Sequence, residues 1–289
     1  MNNTVKTDVL IIGAGPSGLA TAIHLADLLK TNGIEKQIIV VDKGQSVGSH
    51  ILSGAVIKPQ AFRDLLPDVN FDEIPFDSKV ASDEMYFLQN EKSSLKVPFH
   101  PPYMGNSGNY CASLGEICRY LAAKATEKGV DIYPGFSMSD ILYDEKGDVA
   151  GAKCIDTGID HEGNKLENFV EGTRVEASIT IFAEGTRGSL AKKLIEKKNL
   201  QQGRNPQIYS LGVKELFSVP EGTIKAGEVY HTMGFPAMND NVFGGGFIYG
   251  LKDNKVAVGL ILGLDFTDPT YDIYHAFQIS VCREVRQRG

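Results

Sequence analysis

The 289-residue sequence predicts an α/β protein: a two-part, Rossmann-like dinucleotide-binding fold with a mostly antiparallel β region inserted into it and appended after it. Three observations carry that expectation. The apolar run Asp8-Val-Leu-Ile-Ile breaks into Gly13-Ala14-Gly15-Pro16-Ser17-Gly18 and continues as an apolar-periodic segment over residues 19–29. This reads as strand, glycine turn and helix. A second apolar run, Gln37-Ile-Ile-Val-Val-Asp42, ends in an acid. A third, over residues 177–183, enters Glu184-Gly185-Thr186-Arg187-Gly188 and then a helical pattern over residues 189–198.

In the opening unit each glycine has a task. Gly13 allows the tight turn, Gly15 lets the backbone approach a ligand, and Gly18 lets helix and strand pack closely. The helix start offers unpaired N–H groups and a partial positive charge, so a pyrophosphate is the expected occupant. With 31 glycines in the chain, roughly 0.35 GxGxxG matches arise by chance, so the flanking elements carry the weight. Asp42 follows Gly18 at close to the spacing of about 20 expected of a ribose-binding carboxylate, which would repel a 2′-phosphate and argues against NADP.

Further elements follow in order. Residues 59–66 read as a short helix, and residues 85–89 with 94–99 as a hairpin around Asn90-Glu91-Lys92. His100-Pro-Pro-Tyr-Met-Gly is an irregular connection. Ser113-Leu-Gly-Glu116 is a capping-box pattern, opening a helix that runs to Lys128 with Gly129 as its stop. Strands are expected over residues 130–133, 138–143 and 149–156, and an exposed polar excursion over 157–172. The remainder is β-rich, with runs at 208–217, 229–232, 247–251 and 256–262. Arg187, beside the second glycine turn, reads either as a phosphate neutraliser or as a surface ion pair.

The formal charge of −7 gives no electrostatic reason to expect nucleic acid. The longest apolar run, residues 256–264, falls short of the roughly 20 residues of a spanning helix. No secretory signal or transit peptide is read before the first strand. Cys111, Cys118, Cys154 and Cys282 share no metal-ligand spacing and read as reduced thiols; no metal site and no catalytic triad is expected.

The segments Gly13-Ala-Gly-Pro-Ser-Gly-Leu, Val41-Asp-Lys-Gly, Leu52-Ser-Gly-Ala, Gly108-Asn-Tyr, Val130-Asp-Ile-Tyr-Pro-Gly, Ile181-Phe-Ala-Glu-Gly, Gly212-Val-Lys-Glu-Leu and Gly244-Gly-Gly-Phe-Ile-Tyr occur in an order that resembles the electron transfer flavoprotein–ubiquinone oxidoreductase family. The resemblance implies a two-part FAD-binding Rossmann-like fold whose antiparallel β region forms a quinone-binding domain. The divisions expected are residues 1–70 (FAD-binding, first part), 71–105 (inserted, membrane-facing hairpin), 106–200 (FAD-binding, second part), 201–278 (quinone-binding) and 279–289 (a tail departing from the family, as in a truncated chain).

It further implies FAD as cofactor. Gly13, Ala14, Gly15, Pro16, Ser17 and Gly18 would surround the pyrophosphate. Asp42, with Lys43 beside it, would meet the adenosine ribose, Ser53, Gly54 and Ala55 would lie near the isoalloxazine, and Glu184 and Gly185 would line the cofactor. His231, Phe243, Gly244 and Gly245 match the family's quinone pocket. On the residues alone, Gly244 and Gly245 also read as a strand bend, and His231 as a structural histidine. Phe99, Pro101, Pro102, Tyr103 and Met104 would rest on a membrane surface or pack the hairpin.

The implied partners are reduced electron transfer flavoprotein, ubiquinone and a membrane surface, at the cytoplasmic face of a bacterial inner membrane or the mitochondrial-matrix face. The family's 4Fe–4S cluster needs four cysteines beyond those present, so its ligands are absent from this chain. Alternatives are an NAD(P)H-dependent FAD monooxygenase, a geranylgeranyl-reductase-like enzyme, or an inactive truncated fragment.

Overall fold

The computed structural model describes residues 3–52, 54–99 and 104–286, without the side chains of 239, 240 and 281–286. In chain order the elements begin β1 (Thr4–Ile12), α1 (Pro16–Thr31), β2 (Ile38–Asp42), β3 (Gly54–Ile57), α2 (Gln60–Leu65), β4 (Phe76–Lys79), β5 (Ser82–Leu88), β6 (Ser94–Val97) and β7 (Tyr110–Ser113). They continue α3 (Leu114–Glu127), β8 (Asp131–Pro134), β9 (Met138–Tyr143), β10 (Val149–Cys154), β11 (Thr157–Ile159), β12 (Lys165–Val170), β13 (Arg174–Phe182) and α4 (Ser189–Lys197). The last are β14 (Ser210–Ser218), β15 (Glu228–Gly234), β16 (Gly244–Leu251), β17 (Lys255–Gly263) and α5 (Ile273–Arg286).

The chain divides into two compact units. The first comprises Met1–Leu52, Leu65–Ile74 and Leu114–Arg204. Its sheet runs β8-β2-β1-β13-β10-β9, parallel through β8, β2, β1 and β13 and antiparallel from β13 to β10 and β9. The apolar runs of β1 and β2 sit at its centre, with Leu10, Ile11 and Val40 fully buried, as expected of strands covered on both faces. Helix α3 stops where expected: Gly129 has φ +86°, and the Val130 amide donates to the Ala125 carbonyl, a left-handed glycine terminus. The polar excursion is more ordered than its composition suggests, since β11 and β12 pair as an antiparallel hairpin.

The second unit comprises Ser53–Asp64, Pro75–Ser113 and Asn205–Gly289. Its main sheet runs β14-β17-β16-β15-β5-β6. The inserted hairpin β5–β6 therefore extends the appended strands, through one parallel pairing of β5 with β15. Ile248, Val258, Leu260 and Leu262 on one face gather with Ile273, Ala276 and Phe277 of α5. On the other face Val229, Phe247, Tyr249 and Ala257 gather with Cys111 of the small sheet β3-β7-β4. No helix among the described residues is long and apolar enough to cross a membrane.

Candidate functional site

In the first unit the β1–α1 turn is built by steric necessity at two glycines and left open at the third. Gly13 has φ +110°, and a Cβ there would run into the Ala183 carbonyl oxygen at the end of β13. A Cβ at Gly18 would collide with the Gly13 carbonyl oxygen. Both are needed for strand, turn and helix to pack. Gly15 is different: its backbone is extended, at φ −81° and ψ −177°, and a Cβ would meet nothing within 4 Å. The fold does not require glycine there, so its bare backbone faces space that a ligand can enter.

Helix α1 begins at that open face. Pro16 occupies its first turn, no side chain caps it, and no acidic residue lies in the first turn. Its leading amides are thus directed at the open side of Gly15, the arrangement that suits a phosphate. Asp42 closes the other side. Its Oδ2 accepts from the Ala14 N–H at 2.8 Å and its Oδ1 from the Gly44 N–H at 2.7 Å, so the carboxylate ties the glycine turn to the turn after β2. Two hydrogen bonds leave lone pairs on the carboxylate for ribose hydroxyls. Lys43 is exposed beside it. These residues fit a dinucleotide with a free ribose.

The second glycine turn differs from the first. The Glu184 carboxylate accepts from the amides of Ser189 and Leu190 through Oε1, at 3.1 and 3.2 Å, and from Ala191 through Oε2 at 2.7 Å. It caps α4, so the anion site at this helix start is filled by the chain's own carboxylate. Gly185 is exposed at φ +82°, and Arg187 is exposed.

In the second unit, Gly54 and Ala55 lie on β3, paired with Ser113 and Ala112; Ser53 lies outside the described residues. A Cβ at Gly54 would stand 3.3 Å from Lys214 Nζ, an ammonium whose pKa is held down by burial. The neighbouring sheet explains the other glycines. A Cβ at Gly244 would strike the Ile261 carbonyl oxygen, and one at Gly245 the Thr232 carbonyl oxygen. Their bareness thus has a cause within the sheet. It also leaves a flat surface, because Met233, Gly245, Ile261 and Gly212 pair across four strands as one row. Met233 and Ile261 are exposed on it, and Phe243 stands 81% exposed just before β16.

One row deeper, His231 pairs with Phe247, whose ring lies over Gly259, and meets the Tyr249 ring edge-on at 6.0 Å. His231 Nδ1 lies 3.4 Å from Asp83 Oδ1. Asp83 and Asn106 escape sequence reasoning because no motif marks them; only the parallel register of β5 on β15 brings Asp83 to His231. Pro101, Pro102 and Tyr103 lie outside the described residues, while Phe99 is exposed and Met104 half-buried. Among the described residues no cluster of His, Cys, Asp or Glu is arranged to hold a metal ion; Cys111, Cys118 and Cys154 are buried and free, and the Cys282 side chain lies outside the description.

Residues 6–214 match the model of the FAD binding domain, and residues 209–286 match that of the ubiquinone-binding region of ETF-QO. The second match extends past residue 278. A mitochondrial electron transfer flavoprotein–ubiquinone oxidoreductase of Dictyostelium discoideum is 45% identical over 94% of this chain and 44% of its own length. The Pseudomonas aeruginosa protein of that name is 43% identical over 95% and 50%. The chain thus spans about half the length of these curated relatives. Among solved structures, a geranylgeranyl bacteriochlorophyll reductase-like protein of Thermoplasma acidophilum shares the fold, with TM-score 0.66 and 18% identity over 95% of this chain and 61% of that one. The chain belongs to the FAD-binding-domain family and, within it, is similar along nearly its whole length to electron transfer flavoprotein–ubiquinone oxidoreductases.

Proposed function

We propose that this chain carries the FAD- and quinone-binding parts of an oxidoreductase that passes electrons from reduced electron transfer flavoprotein to ubiquinone. The carrying observation is the open face of Gly15 at an uncapped helix start beside Asp42, in a chain whose next region matches a ubiquinone-binding model. Bound flavin accepts electrons singly or in pairs, which suits a one-electron donor and a two-electron acceptor. The residues of the β1–α1 turn hold the diphosphate, and Asp42 holds the ribose. Gly54 and Ala55 bring bare or small backbone to the isoalloxazine.

In the second unit the row Met233, Gly245, Ile261 and Gly212 offers a flat apolar bed for a quinone ring, whose carbonyl oxygens take backbone N–H or His231. Exposed Phe243 and Phe99, the latter 70% exposed, support contact with the membrane surface from which a lipid-dissolved quinone is drawn. The cytoplasmic or matrix face is the corresponding location.

Anaerobic mixing tests the reading. The FAD-loaded chain should be bleached by reduced electron transfer flavoprotein and recover its colour on addition of a short-chain ubiquinone. Rapid bleaching by NADPH, with none by that donor, would instead support the monooxygenase or reductase reading.

A further inference from the structure

Strand β14 carries a cation, Lys214, that no described residue neutralises. Its side chain lies against β3 of the same unit: a Cβ on Gly54 would stand 3.9 Å from its Cδ and 3.3 Å from its Nζ. The bareness of Gly54 is what lets the stem lie so close. Alternate residues of a strand share a face, so the neighbours of Lys214 along β14 are Gly212, which has no side chain, and Leu216, which is apolar. Across to β17 it pairs with Gly259, whose backbone lies under the Phe247 ring. None of these offers a polar side chain. The acid next in sequence, Glu215, takes the opposite face and accepts the Tyr274 hydroxyl at 2.9 Å.

Lys214 differs in this from other lysines of the chain. Lys36, Lys96, Lys128 and Lys153 each meet a carboxylate at 2.6–2.8 Å. Among the described residues the half-buried Lys214 ammonium makes no ion pair and no hydrogen bond, and burial alone holds its pKa down. A cation drawn part-way out of water without a counter-charge favours an anionic or electron-rich group beside it.

We propose that Lys214 is the cationic contact of the flavin ring: its ammonium lies beside the isoalloxazine at Gly54 and favours whichever redox state of the ring carries more negative charge. This rests on the reading given above, that Gly54 and Ala55 meet the isoalloxazine, and adds a charge to a contact made so far of backbone and one methyl group. A fixed positive charge there strengthens binding of reduced FAD more than of oxidised FAD, and so raises the potential of the bound cofactor. Lysine suits the task, because its ammonium is a compact point charge on a stem long enough to follow the strand surface.

The test compares two variants with the unsubstituted whole chain, each loaded with FAD. The midpoint potential of the bound cofactor reports the preference for reduced over oxidised FAD. Lys214→Met should lose about tenfold of that preference, about 30 mV for a two-electron couple, and Lys214→Arg should keep most of it. An unmoved potential in a Lys214→Met protein that binds FAD overturns the proposal. Should Lys214→Met not fold, acetylation of the unsubstituted chain decides instead. Bound FAD should slow modification of Lys214 about tenfold or more relative to the exposed Lys255 of the same unit, as read by mass spectrometry. An unchanged ratio in protein that has bound FAD overturns the proposal. Both of these contrary results are read with FAD in place, so they remove the role of Lys214 alone. A chain that binds no FAD at all overturns the flavin reading itself, and this proposal with it.

Discussion

The Asp42 carboxylate accepts a hydrogen bond from the Ala14 amide at 2.8 Å, joining the end of the second strand to the glycine turn that follows the first. With its second oxygen on the Gly44 amide, one side chain holds both walls of the proposed nucleotide site before any ribose arrives.

Asp42→Ala should therefore do two things at once. It leaves two amides without their acceptor, at a cost of about 1–3 kcal/mol for each one that stays buried, and it removes the ribose contact. Denaturant midpoints and the fraction of protein retaining flavin colour after purification should both drop. Asp42→Glu should recover much of the flavin while recovering less of the stability, because its longer arm meets the ribose more readily than the Ala14 amide.

The three glycines of the turn should separate folding from binding. Gly13→Ala, at φ +110° against the Ala183 carbonyl oxygen, should cost well over 2 kcal/mol, from the strained backbone and the clash together. Gly15→Ala meets no atom within 4 Å and should leave stability within about 0.5 kcal/mol while weakening FAD binding tenfold or more. Thermal denaturation and flavin fluorescence titration measure the two effects separately.

Glu184→Ala removes three hydrogen bonds from the start of α4. A lost cap of this kind costs about 1 kcal/mol. FAD affinity should change less than in Asp42→Ala, and comparison of the two variants at equal folded fraction checks it.

Burial pushes the Cys111 and Cys118 thiols up to about 11 from 9.0. The folded state thus favours the neutral thiols, and the sign follows. Their contribution to stability is complete below the unfolded value near 9 and is lost as pH rises from about 9 toward 11. In Cys282→Ser, thiol reagents should label the native protein slowly at pH 8, and denaturant midpoints should fall between pH 9 and 11.

Much of the first unit was legible because its signals are local. The apolar runs of β1, β2 and β13, the glycines between them and the stop at Gly129 each act within a few residues of themselves. Glu184 was less legible: its place after a buried strand suggests a cofactor contact, and only its reach to the amides of Ser189, Leu190 and Ala191 shows the cap. Gly244 and Gly245 are read from sequence as a strand bend or a ligand surface. In the sheet their bareness is forced by the carbonyl oxygens of Ile261 and Thr232, and the flat row follows from it. Asp83 was invisible, since its meeting with His231 depends on the parallel register of strands 146 residues apart in sequence, Val229 opposite Asp83.

The most direct measurement is FAD titration of the isolated chain beside Gly15→Val, followed by flavin fluorescence with circular dichroism as a check on folding. The account predicts saturable, near-stoichiometric binding to the unsubstituted chain and its loss in a variant that remains folded. Equal binding by both proteins, or none by the unsubstituted one, would contradict it.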